Sequence, residues 1–278
     1  MFKYSYDALV YSGEPIEKSI ARVARFGYDG IELLGEPDLF DTKLINKCCD
    51  SEGIAVSSIC SIFTADRDMI HPDIKIRNQA IDYVKSVLDF AAATGAEKVI
   101  ISTTACNKTA PLVDLEQETA WAVETVKAMA EIAQKDNITL CLESWNRYET
   151  YMADSLDKVS KLAKRINMPN VGIMGDTFHM NIEEADMAGS IRKYGDQLVH
   201  MHLADSQRAA PGKGHIDFVP IVQALKDIRY NGWITFELLP GGGDPFAALR
   251  AGGATEFFDE YTELSIKTIK AIEKQLEK

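Results

Sequence analysis

Ile138-Thr139-Leu140-Cys141-Leu142-Glu143 is a short apolar run that closes on a carboxylate, and Val171-Gly172-Ile173-Met174-Gly175-Asp176 repeats the device further along the chain. Between them, residues 154–167 carry apolar side chains at helical spacing. A strand, a helix and a second strand in that order predict a parallel βαβ unit. The same alternation runs outward in both directions. Strands are predicted near 3–6, 30–34, 55–60, 98–102, 138–143, 171–175, 198–203 and 233–237, with helices near 15–26, 42–52, 73–94, 115–135, 154–167, 180–194, 218–228 and 255–276. Eight strands alternating with eight helices predict closure into a (β/α)8 TIM barrel. The 278 residues suit a single catalytic barrel domain over 1–278, because such a barrel takes roughly 250 residues.

Gly27-Tyr28-Asp29-Gly30-Ile31-Glu32-Leu33-Leu34 resembles Tyr230-Asn231-Gly232-Trp233-Ile234-Thr235-Phe236-Glu237-Leu238-Leu239, each a helix exit feeding a strand that carries a Glu. This is either a weak internal repeat or the ordinary chemistry of αβ loops, in which Gly caps the helix. Pro240-Gly241-Gly242-Gly243-Asp244-Pro245 follows the last strand, where it is either a loop over the barrel mouth or a plain connector.

A hydrophobic fraction of 46% with 26% charged residues is that of a globular protein with a sizeable core. The net charge of −12 opposes binding to nucleic acid or anionic membranes, which are held through clustered Lys and Arg. Neither a secretory leader nor an apolar stretch of bilayer length is visible, so a cytoplasmic location is expected. Cys48, Cys49, Cys60, Cys106 and Cys141 have no CxxC spacing and are read as reduced and structural.

In such a barrel the C-terminal strand ends converge on one face, so position filters the candidates for chemistry. Glu143, Asp176, His202 and Glu237 stand at or near the ends of four consecutive predicted strands. Each taken singly is readily a helix cap or a core residue. Together, three carboxylates and one imidazole form an oxygen-rich donor set suited to Mn2+, Mg2+ or Co2+. Such an ion would act as a Lewis acid on a carbonyl, and carboxylates on two sides would move the neighbouring proton through an enediolate.

Asp176-Thr177-Phe178-His179-Met180-Asn181-Ile182-Glu183-Glu184 closely resembles the run after the sixth strand of the metal-dependent ketose 3-epimerases, such as D-tagatose and D-psicose 3-epimerase, in the xylose isomerase-like barrel superfamily. Glu143-Ser144-Trp145-Asn146-Arg147-Tyr148-Glu149 is similar to their segment after the fifth strand. His202-Leu203-Ala204-Asp205-Ser206-Gln207-Arg208, followed by Pro211-Gly212-Lys213-Gly214, is similar to the one after the seventh. The resemblance covers nearly the whole chain. It implies Glu143, Asp176, His202 and Glu237 as ligands of one divalent metal, Mn2+ ahead of Co2+ or Mg2+, and Glu143 and Glu237 as the acid/base pair. It also implies that Glu149, His179 and Arg208 hold substrate oxygens. Taken without it, Glu149 reads as a solvated loop residue, His179 as a helix-start residue and Arg208 as a surface residue. A small sugar substrate and a homodimer or homotetramer complete the expectation.

The sequence departs from that family at the far-end wall of the sugar site. Tyr11-Ser12-Gly13-Glu14-Pro15 and Thr103-Thr104-Ala105-Cys106-Asn107-Lys108-Thr109 lack the expected Trp, and Gly175, Leu238 and Leu239 replace customary neighbours of the ligands. A more open wall motivates a second reading, a 3-keto-glycoside deglycosidase or lyase that uses the same enolisation to expel an aglycone, with a partner subunit. A zinc-dependent DNA-repair endonuclease on the same barrel is opposed by the charge and by only five His. A non-catalytic sugar-binding barrel would not require the carboxylate pair. His71, His200 and His215 are read as structural or loop residues, with His200 deeper in the barrel than His202 because strands alternate with period two.

Overall fold

The computed structural model describes residues 1–239, 255 and 257–277. Eight parallel strands, β1 (Lys3–Asp7), β2 (Gly30–Leu34), β3 (Ala55–Cys60), β4 (Lys98–Ile101), β5 (Thr139–Glu143), β6 (Val171–Asp176), β7 (Leu198–Leu203) and β8 (Trp233–Phe236), pair in chain order. β1 also pairs with β8, from Lys3 beside Trp233 to Tyr6 beside Phe236, which closes the barrel. Closure removes both sheet edges, so every strand has a neighbour on each side.

The helices are α1 (Ile16–Arg25), α2 (Thr42–Glu52), α3 (Ile74–Thr94), α4 (Leu115–Ala133), α5 (Leu156–Ile166), α6 (Thr177–Glu183), α7 (Met187–Tyr194), α8 (Phe218–Asp227) and α9 (Phe257–Gln275). Each buries an apolar stripe against the sheet, such as Ile20 and Val23 of α1, or Val159, Leu162 and Ile166 of α5. Fully burying one such side chain contributes roughly 1.5–3 kcal/mol. Asp41, Asp73, Asp114 and Asp217 accept backbone N–H bonds at the starts of α2, α3, α4 and α8. Gly53 and Gly95 end α2 and α3 in the left-handed conformation that glycine adopts without steric cost.

One predicted helix is corrected. The span 180–194 was expected as a single helix, but α6 starts earlier, at Thr177, and stops at Glu183. Glu184 is extended there, and the Asp186 carboxylate accepts from Gly189 N–H to start α7. A capping Asp inside a polar stretch therefore splits the element, although the apolar spacing on either side is helical. No helix of the described residues is long and apolar enough to cross a membrane. The glycine-rich run 240–245, read above as a loop over the mouth or a connector, lies outside the described residues.

The principal core lies between the strands and the surrounding helices, while a small separate apolar cluster joins Cys60, Ile100, Cys141 and Met174 of β3 to β6. Polar side chains accompany it. A chain of hydrogen bonds runs through Ser5, Ser57, Ser58, Glu32, His200 and Thr235, linking β1, β3, β2, β7 and β8.

Candidate active site

Glu143 ends β5, Asp176 ends β6, His202 is the penultimate residue of β7 and Glu237 directly follows β8. Strand register sets Asp176 beside His202, so the four project from one end of the barrel. Each offers a ligand atom within 4.8 Å of the others, and all four residues are buried. Asp176 has two jobs: Oδ1 accepts from Phe178 N–H at 2.8 Å and caps α6, while Oδ2 has no hydrogen-bond partner. Glu143 Oε1 and His202 Nδ1 are likewise buried without one. Lone pairs in this state are costly unless something else uses them.

The electrostatics point the same way. Burial, and then the neighbouring Glu237 carboxylate, push Glu143 up to about 8. Burial also raises Asp176, and although Arg208 opposes it with its charge, the carboxyl still lies at about 6. Burial would raise Glu237 as well, but the Arg208 guanidinium and His202 outweigh it and hold this carboxyl well below its usual range. Three carboxyl groups thus crowd a low-dielectric space in which they cannot all ionise without added positive charge. Three carboxylates, one imidazole and three orphaned donor atoms fit a hard or borderline divalent cation.

The three residues implied as substrate holders are brought to this cluster. His179, in α6, is buried and its pKa is pushed well below 6.5, first by burial and then by Arg208, so the ring is neutral. Asn146 backbone N–H donates to His179 Nδ1 at 3.2 Å, which leaves the ring proton on Nε2. Nε2 lies 3.8 Å from Asp176 Oδ2 and 3.9 Å from Glu143 Oε1. Arg208 hydrogen-bonds Glu237, approaches Asp176 Oδ2 at 3.6 Å and Glu149 Oε1 at 4.0 Å, and lies over the Phe178 ring at 4.7 Å. The bland readings of Glu149 as solvated and Arg208 as superficial therefore do not describe their positions: Arg208 is buried and Glu149 half-buried.

Local chemistry explains how Arg208 reaches inward. It sits at φ 65°, a left-handed conformation that a side chain rarely adopts. The loop around it is wound on Asp205, whose carboxylate accepts from Ser206, Gly212 and Ile216 N–H. Arg208 N–H itself donates to Asp205 C=O at 2.8 Å, and Leu239 N–H to Arg208 C=O at 2.9 Å. Tyr11 is buried in the core, stacked on Tyr6 with centroids 5.0 Å apart, and Asn107 is exposed.

Residues that the sequence reading did not single out also belong to this region. Asn146 fixes His179 and donates to Glu149 Oε1 at 2.9 Å; it lay unremarked inside the quoted segment 143–149. Glu32, seen only as half of a sequence echo, contacts His200 and His202. Asp7 and Cys60 come close to Glu237, and no spacing signal would have found them.

The family model described as xylose isomerase-like TIM barrel matches residues 20–256. D-psicose 3-epimerase of Ruminiclostridium cellulolyticum is 32% identical over 228 residues, covering 78% of this chain and 76% of that protein. A 3-dehydro-D-guloside 4-epimerase of Escherichia coli is 23% identical over 244 residues, 85% of this chain and 92% of that protein. The crystal structure of D-allulose 3-epimerase from Methylomonas sp. in complex with D-allulose superposes with a TM-score of 0.88 at 29% identity, covering 97% of this chain and 96% of that one. The chain belongs to the xylose isomerase-like TIM barrel family and is an enzyme of its sugar-epimerase group.

Proposed function

We propose that the chain is a divalent-metal-dependent epimerase of a ketose or close keto-sugar derivative, with Glu143 and Glu237 as its acid/base pair. The observation that carries this reading is the set of buried, unpartnered donor atoms on Glu143, Asp176 and His202, gathered with Glu237 at the strand ends. Those four residues would hold the ion, Mn2+ ahead of Co2+ or Mg2+. A divalent cation bound there supplies positive charge to a carbonyl and its neighbouring hydroxyl, which makes the intervening C–H more acidic.

The chain's own groups account for the rest. Glu143 and Glu237 come from the first and last of the four strands, so they can serve the two faces of a carbon, one removing a proton and the other returning one. Their environments push them apart: Arg208 and His202 favour the ionised Glu237, whereas burial beside Glu237 favours a protonated Glu143. This asymmetry belongs to the metal-free fold; a cation held by both carboxylates would favour the ionised form of each. Neutral His179 presents Nε2–H to a substrate oxygen, Arg208 adds a cationic donor, and Glu149 accepts a hydroxyl. The ketose substrate class is supported by the relatives' names, D-psicose 3-epimerase among them.

A second reading, a 3-keto-glycoside substrate, is favoured by the altered stretches around Ser12 and Asn107, where Tyr11 is packed into the core, and by the 3-dehydro-D-guloside 4-epimerase relative. On such a substrate the same proton removal either inverts a centre or expels an aglycone. Chelator-stripped protein reloaded with Mn2+ and incubated with fructose, psicose, tagatose, ribulose and a 3-keto-glucoside, followed by NMR, tests both. Epimers of a free ketose are expected. Aglycone release without ketose turnover would give the second reading, and no reaction with any of them would overturn both.

A further inference from the structure

We infer that Glu32 is a positioning residue for the metal: it holds the Nε2–H of His202, and so turns the Nδ1 lone pair of that ring toward Glu143, Asp176 and Glu237. This rests on the reading of His202 as a ligand. His202 lies between two carboxylates, with Nε2 2.9 Å from Glu32 Oε1 and Nδ1 3.5 Å from Glu237 Oε2. Their 2.9 Å approach is an ion-pair contact, and neither His202 Nε2 nor Glu32 Oε1 makes a hydrogen bond to any described residue, so each is left to the other. An ionised carboxylate only accepts, and Glu32 is the nearer of the two, so in a neutral ring Nε2 carries the hydrogen and Nδ1 keeps its lone pair.

Glu32 is itself held from several sides. Its Oε2 accepts from Ser58 and lies 2.9 Å from His200 Nε2, and that nitrogen is 3.3 Å from Thr235 Oγ1. Glu32, His200, His202, Ser58 and Thr235 are all fully buried. Among the described residues the carboxylate has no Lys or Arg within ion-pair distance; its two partners of that kind are the imidazoles. A buried acid flanked by two imidazoles and a serine is a poor way to stabilise a barrel, because apolar side chains of similar volume serve as well. As a fixed acceptor behind a metal-binding ring it has a specific use.

Glu32→Gln keeps the size and removes the negative charge, leaving a weaker amide acceptor. Mn2+ affinity, read from the electron paramagnetic resonance of free Mn2+, is expected to fall roughly 10–100-fold relative to wild type. Glu32→Asp, which keeps the charge at a shorter reach, is expected to recover part of that loss. An unchanged Mn2+ affinity, with only the thermal stability of the metal-free chain lowered, would overturn the inference and leave Glu32 a packing residue. Absence of Mn2+ binding in wild type would instead sink the reading of His202 as a ligand. A crystal structure of the Co2+-loaded wild-type chain decides the matter even if neither variant folds. One ion on Nδ1 of His202 is expected; an ion on Nε2, or a second ion among Glu32, His200 and His202, would contradict it.

Discussion

Two clusters of buried acids lie among the loops and strand ends of this barrel, and they differ in what their oxygens touch. Asp68 and Glu118 carry their own cation: Lys108 Nζ lies 2.9 Å from Asp68 Oδ2 and 3.5 Å from Glu118 Oε1. Backbone N–H groups of Ile70 and Ala105 serve Asp68, and those of Leu112 and Val113 serve Glu118. At Glu143, Asp176, His202 and Glu237 the acids outnumber Arg208, and Glu143 Oε1, Asp176 Oδ2 and both ring nitrogens of His202 are left without a hydrogen bond. Acidity and burial alone therefore do not mark a site. The first cluster ties loops together around its own cation, with only Glu118 Oε2 left without a hydrogen bond, whereas the second leaves atoms of three residues unpartnered around one point, as a site for an added cation would.

The contrast breaks most visibly at Glu143. Glu143→Gln is expected to lower turnover by roughly 10²–10⁴-fold or more, because it removes an acid/base group and a ligand atom together. Bound metal, measured by elemental analysis after purification without chelator, should fall with it; unchanged metal and turnover would place the chemistry elsewhere. Lys108→Met attacks the other cluster. It strands Asp68 and Glu118, and breaking a buried pair in this way costs about 3–5 kcal/mol, read as a lower denaturant midpoint. Metal content per folded chain should stay at the wild-type level, and a loss of metal would erase the distinction between the clusters.

His179→Ala tests the boundary of the second cluster, since the ring is neutral and faces the carboxylates through Nε2. Turnover should drop roughly 10²-fold with Mn2+ affinity retained, as when a single oxyanion donor is removed. Loss of metal equal to that in Glu143→Gln would make His179 a ligand. The smallest expected effect is graded with pH. Glu143 lies at about 8 in the metal-free fold, against 4.5 for an unperturbed glutamate. Between those values the folded chain keeps a proton that the unfolded chain has released, so metal-free stability falls as pH rises through the window. Metal must displace the same proton. Its affinity should therefore rise up to about tenfold per pH unit between pH 6 and 8, then level off. A flat titration would show that no ligand proton is released.

Much of this was legible in the chain because strand ends are easy to place. Three apolar runs stop at a carboxylate and the fourth carries His202 one residue from its end, and the register of a closed barrel then brings consecutive ends together, as with Asp176 beside His202. What the sequence hid depends on contacts across the barrel or on the direction of a side chain. Glu32 and His202 lie on β2 and β7, which do not pair, so no spacing links them. Asn146 reaches His179 in part through its backbone N–H, which any residue except proline carries, and its side-chain amide meets Glu149 and His179 only in the folded loop. Tyr11 turns into the core against Tyr6 and Phe258, a choice made by packing with α9 far along the chain. The break between α6 and α7 was missed because Asp186 looks like any polar helix residue until its carboxylate is seen to cap Gly189.

The central claim is that two carboxylates move a proton onto and off one carbon from opposite faces. Run in deuterated water with metal-loaded enzyme and the ketose it turns over, and stopped early, the reaction separates the outcomes by NMR. The account predicts that the epimer formed carries deuterium at the inverted carbon, while recovered substrate keeps its hydrogen, because the proton removed on one side is not the one delivered on the other. An epimer that retains the substrate's own hydrogen at that carbon would contradict it.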